Sequence, residues 1–367
     1  MKIALLILII VHALIHLLGF VKAFALSDVK ALTQPISKPY GMIWLIVCIL
    51  FIIVVIQLVT KTNAWWILGL IVVSISQLLI FSSWQDAKFG TIANVIILVA
   101  VVIGYGTARF SSQYEQKVLE SLKQTSDIKD SLLTEADIAS LPKPVQAYLR
   151  YTGAMGQPKV HNVKIKFVGQ IRKNEQSAWM PFTSEQYNFM PTPTRLFFMN
   201  ATMKGLPVAG FHSFTNGTAF MDIRLLSLVN VQYQAGKEMD TAETVTFFND
   251  MCCMAPATLI DKRIAWLEVN GNKVKASFTN NGITISAWLY FNDMGELVNF
   301  VSDDRYATVD NNTLKRLRWS TPLKDYKDFN GHKLAGYAET IYSYPKGDFC
   351  YGTFSLTDIE YNSKQFK

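Results

Sequence analysis

The stretch IALLILIIVHALIHLLGFVKAFAL, residues 3–26, decides how the rest of the chain is read. Its only polar side chains before Lys22 are His12 and His16, and its length exceeds the about 20 apolar residues a helix needs to cross a bilayer. A cleaved leader would have a shorter apolar core, and Lys22 stands directly before the small-residue triplet Ala23, Phe24, Ala25, so a retained first span is the expectation. Moving outward, three further apolar segments follow at 41–59, 65–81 and 91–108, separated by short polar connections holding Pro35, Pro39, Asn63 and Gly90. Trp44, Trp65, Trp66 and Trp84 lie near segment ends, where amphipathic rings favour the head-group layer. Residues 1–109 are therefore expected to form a bundle of four transmembrane helices in a plasma or inner membrane.

Charge follows the same division. Of 35 Lys and Arg against 28 Asp and Glu, the first 109 residues hold seven basic and two acidic, so most of the net +7 sits beside the apolar segments. That pattern fits anionic lipid head groups and not nucleic acid, because no basic stripe interleaved with aromatics occurs later in the chain. An even number of spans puts both termini on one side. The flanking basic residues divide five to four, a narrow lean toward a cytoplasmic soluble part.

From 110 to 155 the pattern is charged and helical, a juxtamembrane linker. Thr134 with Asp137 reads as an N-cap, and a further helix after Pro142 and Pro144 stops at Gly153. From 156 to 367 the period changes to two. VKIKFV at 163–168, VKASF at 274–278 and ITISAW at 283–288 alternate as strands with one wet face. The pairs Asn216-Gly217, Asn270-Gly271, Asn281-Gly282, Met294-Gly295 and Asn330-Gly331 are hairpin turns. One helical interruption is expected from about 240 to 254, ended by Pro256. The fold class is thus a four-helix membrane bundle plus an α+β soluble domain, mainly a curved antiparallel sheet forming an open or half β-barrel.

LPKPVQAYLR at 141–150, NDMCCMAPATLI at 249–260, GELVNFVSDDRY at 295–306 and DIEYN at 358–362 together resemble a bacterial, membrane-tethered family of unknown function. That resemblance implies a soluble part similar to the LolA and LolB lipoprotein carriers, which hold acyl chains in an open β-barrel. Cys252 and Cys253 depart from the bulky aromatic that the family pattern implies thereabouts.

Chemical signatures are few. No GxSxG elbow, HExxH, P-loop or dinucleotide fingerprint occurs, and the four cysteines have no zinc spacing. No cofactor is therefore expected, and the balance leans away from an enzyme. Adjacent Cys252 and Cys253 are expected as buried free thiols. The candidate ligand-binding residues are Trp179, Phe198, Trp266, Trp288, Tyr290 and Arg305, an aromatic lining with one cation; Phe197, Phe211 and Phe300 share the same aromatic pattern. A polar cluster, Asp303, Asp304, Arg305 and Tyr306 with Asp250 facing Arg305, reads either as a head-group or carboxylate clamp built on Arg305 or as an ion pair closing a sheet edge. His12 and His16, four apart and on one helix face, read either as interhelical hydrogen bonding or as a weak metal site. The leading functional expectation is a soluble domain binding an apolar ligand, a lipid or acyl chain, beside the membrane. The alternatives are a membrane redox or metal-dependent enzyme using the histidine pair and a scaffold that recruits a partner.

Overall fold

A computed structural model describes residues 2–309 and 313–366. The chain forms two compact units, Met1–Ser111 and Ser112–Lys367.

The first unit is helical: α1 (Lys2–Ala23), α2 (Lys38–Val59), α3 (Trp65–Ser82), the short α4 (Trp84–Ala87) and α5 (Gly90–Thr125). Four of these, α1, α2, α3 and α5, are long and apolar enough to cross a membrane. They are apolar on both sides. Ile9, Ala13, Val47, Phe51 and Val72 pack inward, while Ile7, Leu14, Ile56 and Leu78 are each more than half exposed, a surface that water would penalise and lipid would not. Close approach needs small residues: a Cβ on Gly19 would lie 2.5 Å from the Trp44 ring. The segment expected at 91–108 and the linker after it are one helix, α5, because no proline interrupts 91–125.

The second unit begins within α5. Two short helices follow, α6 (Glu135–Ile138) and α7 (Lys143–Tyr151). The Thr134 backbone N–H donates to the Asp137 carboxylate at 2.8 Å, the expected cap, and Lys159 beside it holds that carboxyl down at about 2. Strands β1 (Asn162–Ile171), β2 (Met180–Phe189), β3 (Thr194–Met203), β4 (Leu206–Thr215), β5 (Thr218–Leu225) and β6 (Val229–Ala235) precede α8 (Lys237–Met254) and a 3-10 turn (Pro256–Ile260). Then come β7 (Ile264–Asn270), β8 (Lys273–Asn280), β9 (Ile283–Phe291), β10 (Leu297–Thr308), β11 (Leu314–Phe329), β12 (His332–Tyr344) and β13 (Gly347–Tyr361).

All thirteen strands form one antiparallel sheet in the order β6-β5-β4-β3-β2-β1-β13-β12-β11-β10-β9-β8-β7. Its hairpins turn where the sequence places them. Asn216, Asn281 and Asn330 adopt positive φ, each followed by a glycine that does the same. The sheet curls into a half-barrel. Gln234 on β6 donates to Thr308 at the end of β10 (2.6 Å), and Asn281 in the β8–β9 turn donates to the Asn216 carbonyl in the β4–β5 turn (2.8 Å).

Helix α8 fills part of the concave side and is buried around its whole circumference. Phe248 stacks on Phe278 with rings 5.5 Å apart and meets Phe300 edge-on, while Phe247 packs on Phe214. Cys252 and Cys253 are buried free thiols there, small enough for the helix to sit close to α7, where the Tyr148 hydroxyl donates to the Cys252 carbonyl.

Candidate functional site

Strand alternation and register sort the inner face into rows running across β2, β3, β4 and β5. The lowest row is Asn188, Arg195, Phe214 and Ala219; the next is Gln186, Phe197, His212 and Met221. Above these lie Ser184, Met199, Gly210 and Ile223, then Phe182, Ala201, Val208 and Leu225, with Met203 and Leu206 paired at the rim. Each step of two residues along the strands thus moves from a polar floor to an apolar rim. The β1–β2, β3–β4 and β5–β6 connections turn at the rim end, as antiparallel pairing requires, whereas the end of β10 meets the floor end of β6 through Gln234 and Thr308.

The floor is charged and sealed by α8. Arg195 donates to Asp250 at 2.8 Å, to Glu243 at 3.1 Å and to the Gln186 amide oxygen at 3.1 Å. Gln186 and Asn188 donate to the same Asp250 oxygen at 2.6 and 3.0 Å, and His212 lies 3.8 Å from Glu243. Burial alone would raise the Glu243 carboxyl, but the charges of Arg195, His212 and Arg305 outweigh it and hold it at about 2. One guanidinium is matched by two carboxylates on one helix, an arrangement that fixes α8 in register on the sheet.

At the rim the same face is apolar and reaches solvent. Met203 is 37% exposed, Leu206 40% and Val229 58%, whereas Ala201 and Val208 one row below are buried. Gly169 on β1 allows this wall to close around Phe182, since a Cβ there would lie 2.7 Å from the Phe182 ring.

The opposite wall, on β10 to β13, is aromatic. The Arg305 guanidinium lies 4.9 Å over the Trp319 ring and donates to the Ala242 carbonyl of α8 at 3.2 Å. Trp319 Nε1 donates to the Tyr351 hydroxyl at 3.2 Å, and Tyr342 stacks on Tyr351 with rings 5.1 Å apart. Arg305 Nε is buried without a partner.

The residues singled out from sequence divide. Arg305 stands on the inner face because a bulge between Ser302 and Arg305 shifts the register of β10. The same bulge separates it from its neighbours. Asp303 is exposed, Asp304 accepts from the Ser286 backbone and pairs with Arg316, and Tyr306 offers its carbonyl to the Tyr342 hydroxyl. Asp250 does not face Arg305, because α8 directs it at Arg195, Gln186 and Asn188. Trp288 and Tyr290 lie on the outer face, alternating with the buried Ala287 and Leu289, with Lys275 and Lys273 over their rings. Phe198 is also on the outer face, 5.3 Å from Tyr114 of α5, and Phe211 beside it likewise. Trp179 lies in the β1–β2 connection with Arg172 4.4 Å over its ring, and Trp266 packs against the core from the edge strand β7. Arg195 and Glu243 escaped the sequence reading because a lone arginine in a strand and a lone glutamate in a helix carry no spacing signal.

In the helical unit the two histidines hydrogen-bond between helices. His12 Nε2 meets Asn94 Oδ1 at 2.9 Å, the Ser76 hydroxyl meets His16 Nε2 at 2.9 Å, and Asn94 donates to Gln77 at 3.0 Å. His16 Nδ1 lies 2.9 Å from the His12 carbonyl, which requires the proton on Nδ1 and leaves Nε2 to accept from Ser76. One set of neutral tautomers satisfies these contacts. Among the described residues no three His, Cys, Asp or Glu side chains converge as metal ligands. A polar depression of about 300 Å³ lies between Asp130, Asn330, His332 and Tyr361.

A comparison with the curated proteins finds no match. Solved structures with a similar trace share little sequence. A putative outer membrane lipoprotein-sorting protein domain from Vibrio parahaemolyticus is 10% identical, with 61% of this chain and 93% of that one covered at a TM-score of 0.34. A LolA superfamily protein from Nitrosomonas europaea is 8% identical, covering 59% and 93% at 0.32. A DUF1329 family protein from Desulfovibrio piger is 10% identical, covering 59% and 91% at 0.34. Residues 131–354, which include the floor, the rim and Arg305, match the model of a family of unknown function, DUF6544, and the chain belongs to that family.

Proposed function

We propose that this protein binds an apolar ligand, a lipid or acyl chain, in the rim half of its half-barrel, while its four apolar helices hold it in a membrane. The observation that carries this reading is the inner face itself. Its apolar rows continue beyond the part covered by α8 and end in Met203, Leu206 and Val229, which are exposed on the face that elsewhere forms the core. A sheet that needed only to enclose α8 would turn polar once the helix no longer covers it. Exposed apolar side chains on a concave surface favour an apolar occupant, at about 25 cal/mol for each Å² removed from water. The floor supports the reading from the other side: a fully matched charge network makes a polar bottom that an acyl chain does not enter, so the chain occupies the rim rows.

A photoactivatable, clickable fatty acid supplied to membranes containing the full chain tests this. Cross-linked peptides from β3 to β6 and from β12 to β13 are the expected product. Cross-links confined to α1, α2, α3 and the first half of α5 would overturn the proposal.

A further inference from the structure

We infer that the ligand is an anionic amphiphile and that Arg305 holds its head group, a carboxylate or phosphate, on the inner face of the half-barrel; this rests on the apolar-ligand reading above. Arg305 occurs three residues before the end of β10, whose last residue, Thr308, accepts from Gln234 at the floor end of β6, and it faces into the concavity beside α8. Its surroundings are aromatic and, among the described residues, carry no carboxylate in contact with it. Trp319 lies under the guanidinium, the Tyr351 hydroxyl accepts a hydrogen bond from it with Tyr342 alongside, and Ala242 accepts from Nη1. Among the described residues no carboxylate makes an ion pair with it. Glu243, whose charge reaches it, is already engaged by Arg195 at 3.1 Å and lies 3.8 Å from His212. The Nε donor is buried and unmatched.

A buried donor without an acceptor is costly, and a bound anion that accepts a charge-assisted hydrogen bond from Nε removes that cost. The Tyr351 hydroxyl already accepts from Trp319, which leaves its own proton for the same anion. An amphiphile whose head sits on Arg305 would lay its chain along the apolar rows of the facing wall, Met199, Ala201, Val208 and Leu225. One ligand would thus satisfy both walls.

The test uses dibromostearic acid and its methyl ester with the full chain in lipid nanodiscs at neutral pH. Bromine quenches tryptophan on contact, and Trp319→Phe identifies the part of the signal that comes from the site. The acid is expected to quench through Trp319 at a concentration at least about tenfold lower than the ester. Arg305→Gln is expected to equalise the two, and Arg305→Lys to keep part of the preference. Equal quenching by acid and ester in the native chain would overturn the anionic head group and leave the apolar reading standing. No quenching through Trp319 by either compound would overturn both. Displacement of the acid by inorganic phosphate alone would assign Arg305 to a free anion and overturn the amphiphile.

Discussion

Two arginines, Arg195 buried and Arg305 half-buried, line the same concavity and both touch α8, yet their surroundings are opposite. Arg195, on the floor, is held by Glu243, Asp250 and Gln186, and no donor of that network is wasted. Arg305, on the aromatic wall, has a backbone carbonyl, a tryptophan face and an unmatched Nε. A matched buried charge acts as a fastener, because removing either partner leaves the other stranded. A guanidinium with one buried donor unpaired lacks that reciprocal hold. The difference separates a structural floor from the aromatic wall to which the proposal assigns the head group.

The largest expected effect breaks the matched side. Arg195→Met strands Glu243 and Asp250 and is expected to destabilise the soluble unit by about 3–5 kcal/mol in denaturant titrations followed by tryptophan fluorescence. Arg305→Met removes a charge without stranding a carboxylate, and a loss within about 1 kcal/mol is expected; equal losses for the two variants would erase the distinction. Phe248→Ala, which empties the contact between α8 and Phe278 and Phe300, should cost about 3–5 kcal/mol in the same assay.

Acid sharpens the comparison further. The Glu243 carboxyl is held below its ordinary value, so its contribution to stability is complete above about pH 4.5 and is lost as the pH falls toward about 2. The expected slope from this group is at most about 1.4 kcal/mol per pH unit. Glu243→Gln should flatten that part of the curve while lowering stability throughout; an unchanged slope would show that the floor network does not control acid unfolding.

The smaller effects lie elsewhere. Asn94→Leu in the helical unit removes the partner of His12 Nε2 and should lower stability by about 1 kcal/mol in thermal melts of protein in detergent. Leu206→Ser at the rim should change stability by no more than about 0.5 kcal/mol, yet weaken fatty-acid cross-linking to β3 and β4. A rim substitution that destabilises like a core substitution would assign Leu206 a structural role.

Much of this architecture was legible in the residues. Unbroken apolar runs, with Pro39 and Gly90 at their boundaries, specify helices long and apolar enough to cross a membrane, because no proline interrupts their backbone hydrogen bonding. The Asn-Gly pairs specify hairpins because they tolerate positive φ, and the alternation between them specifies strands. Helix α8 was legible between its strands, starting at Lys237 where about 240 was expected. Arg305 was singled out as part of the dense polar group Asp303, Asp304, Arg305 and Tyr306, from which the structure separates it.

Which face each strand residue occupies was not legible. Trp288, Tyr290 and Phe198 look like lining residues in the sequence, but the outer face of this sheet carries aromatics as well, shielded by lysine stems and by α5. Asp303, Asp304 and Arg305 read as one cluster until the bulge in β10 turns only the last of them inward. Arg195 comes to Glu243 across 48 residues of chain, a meeting that depends on where α8 crosses the sheet. Local chemistry by itself determined the elements and their order, because backbone hydrogen bonding and hydrophobic period act over a few residues. Only the tertiary structure decided which charge is matched and which is left open, because that depends on side chains brought together from distant strands.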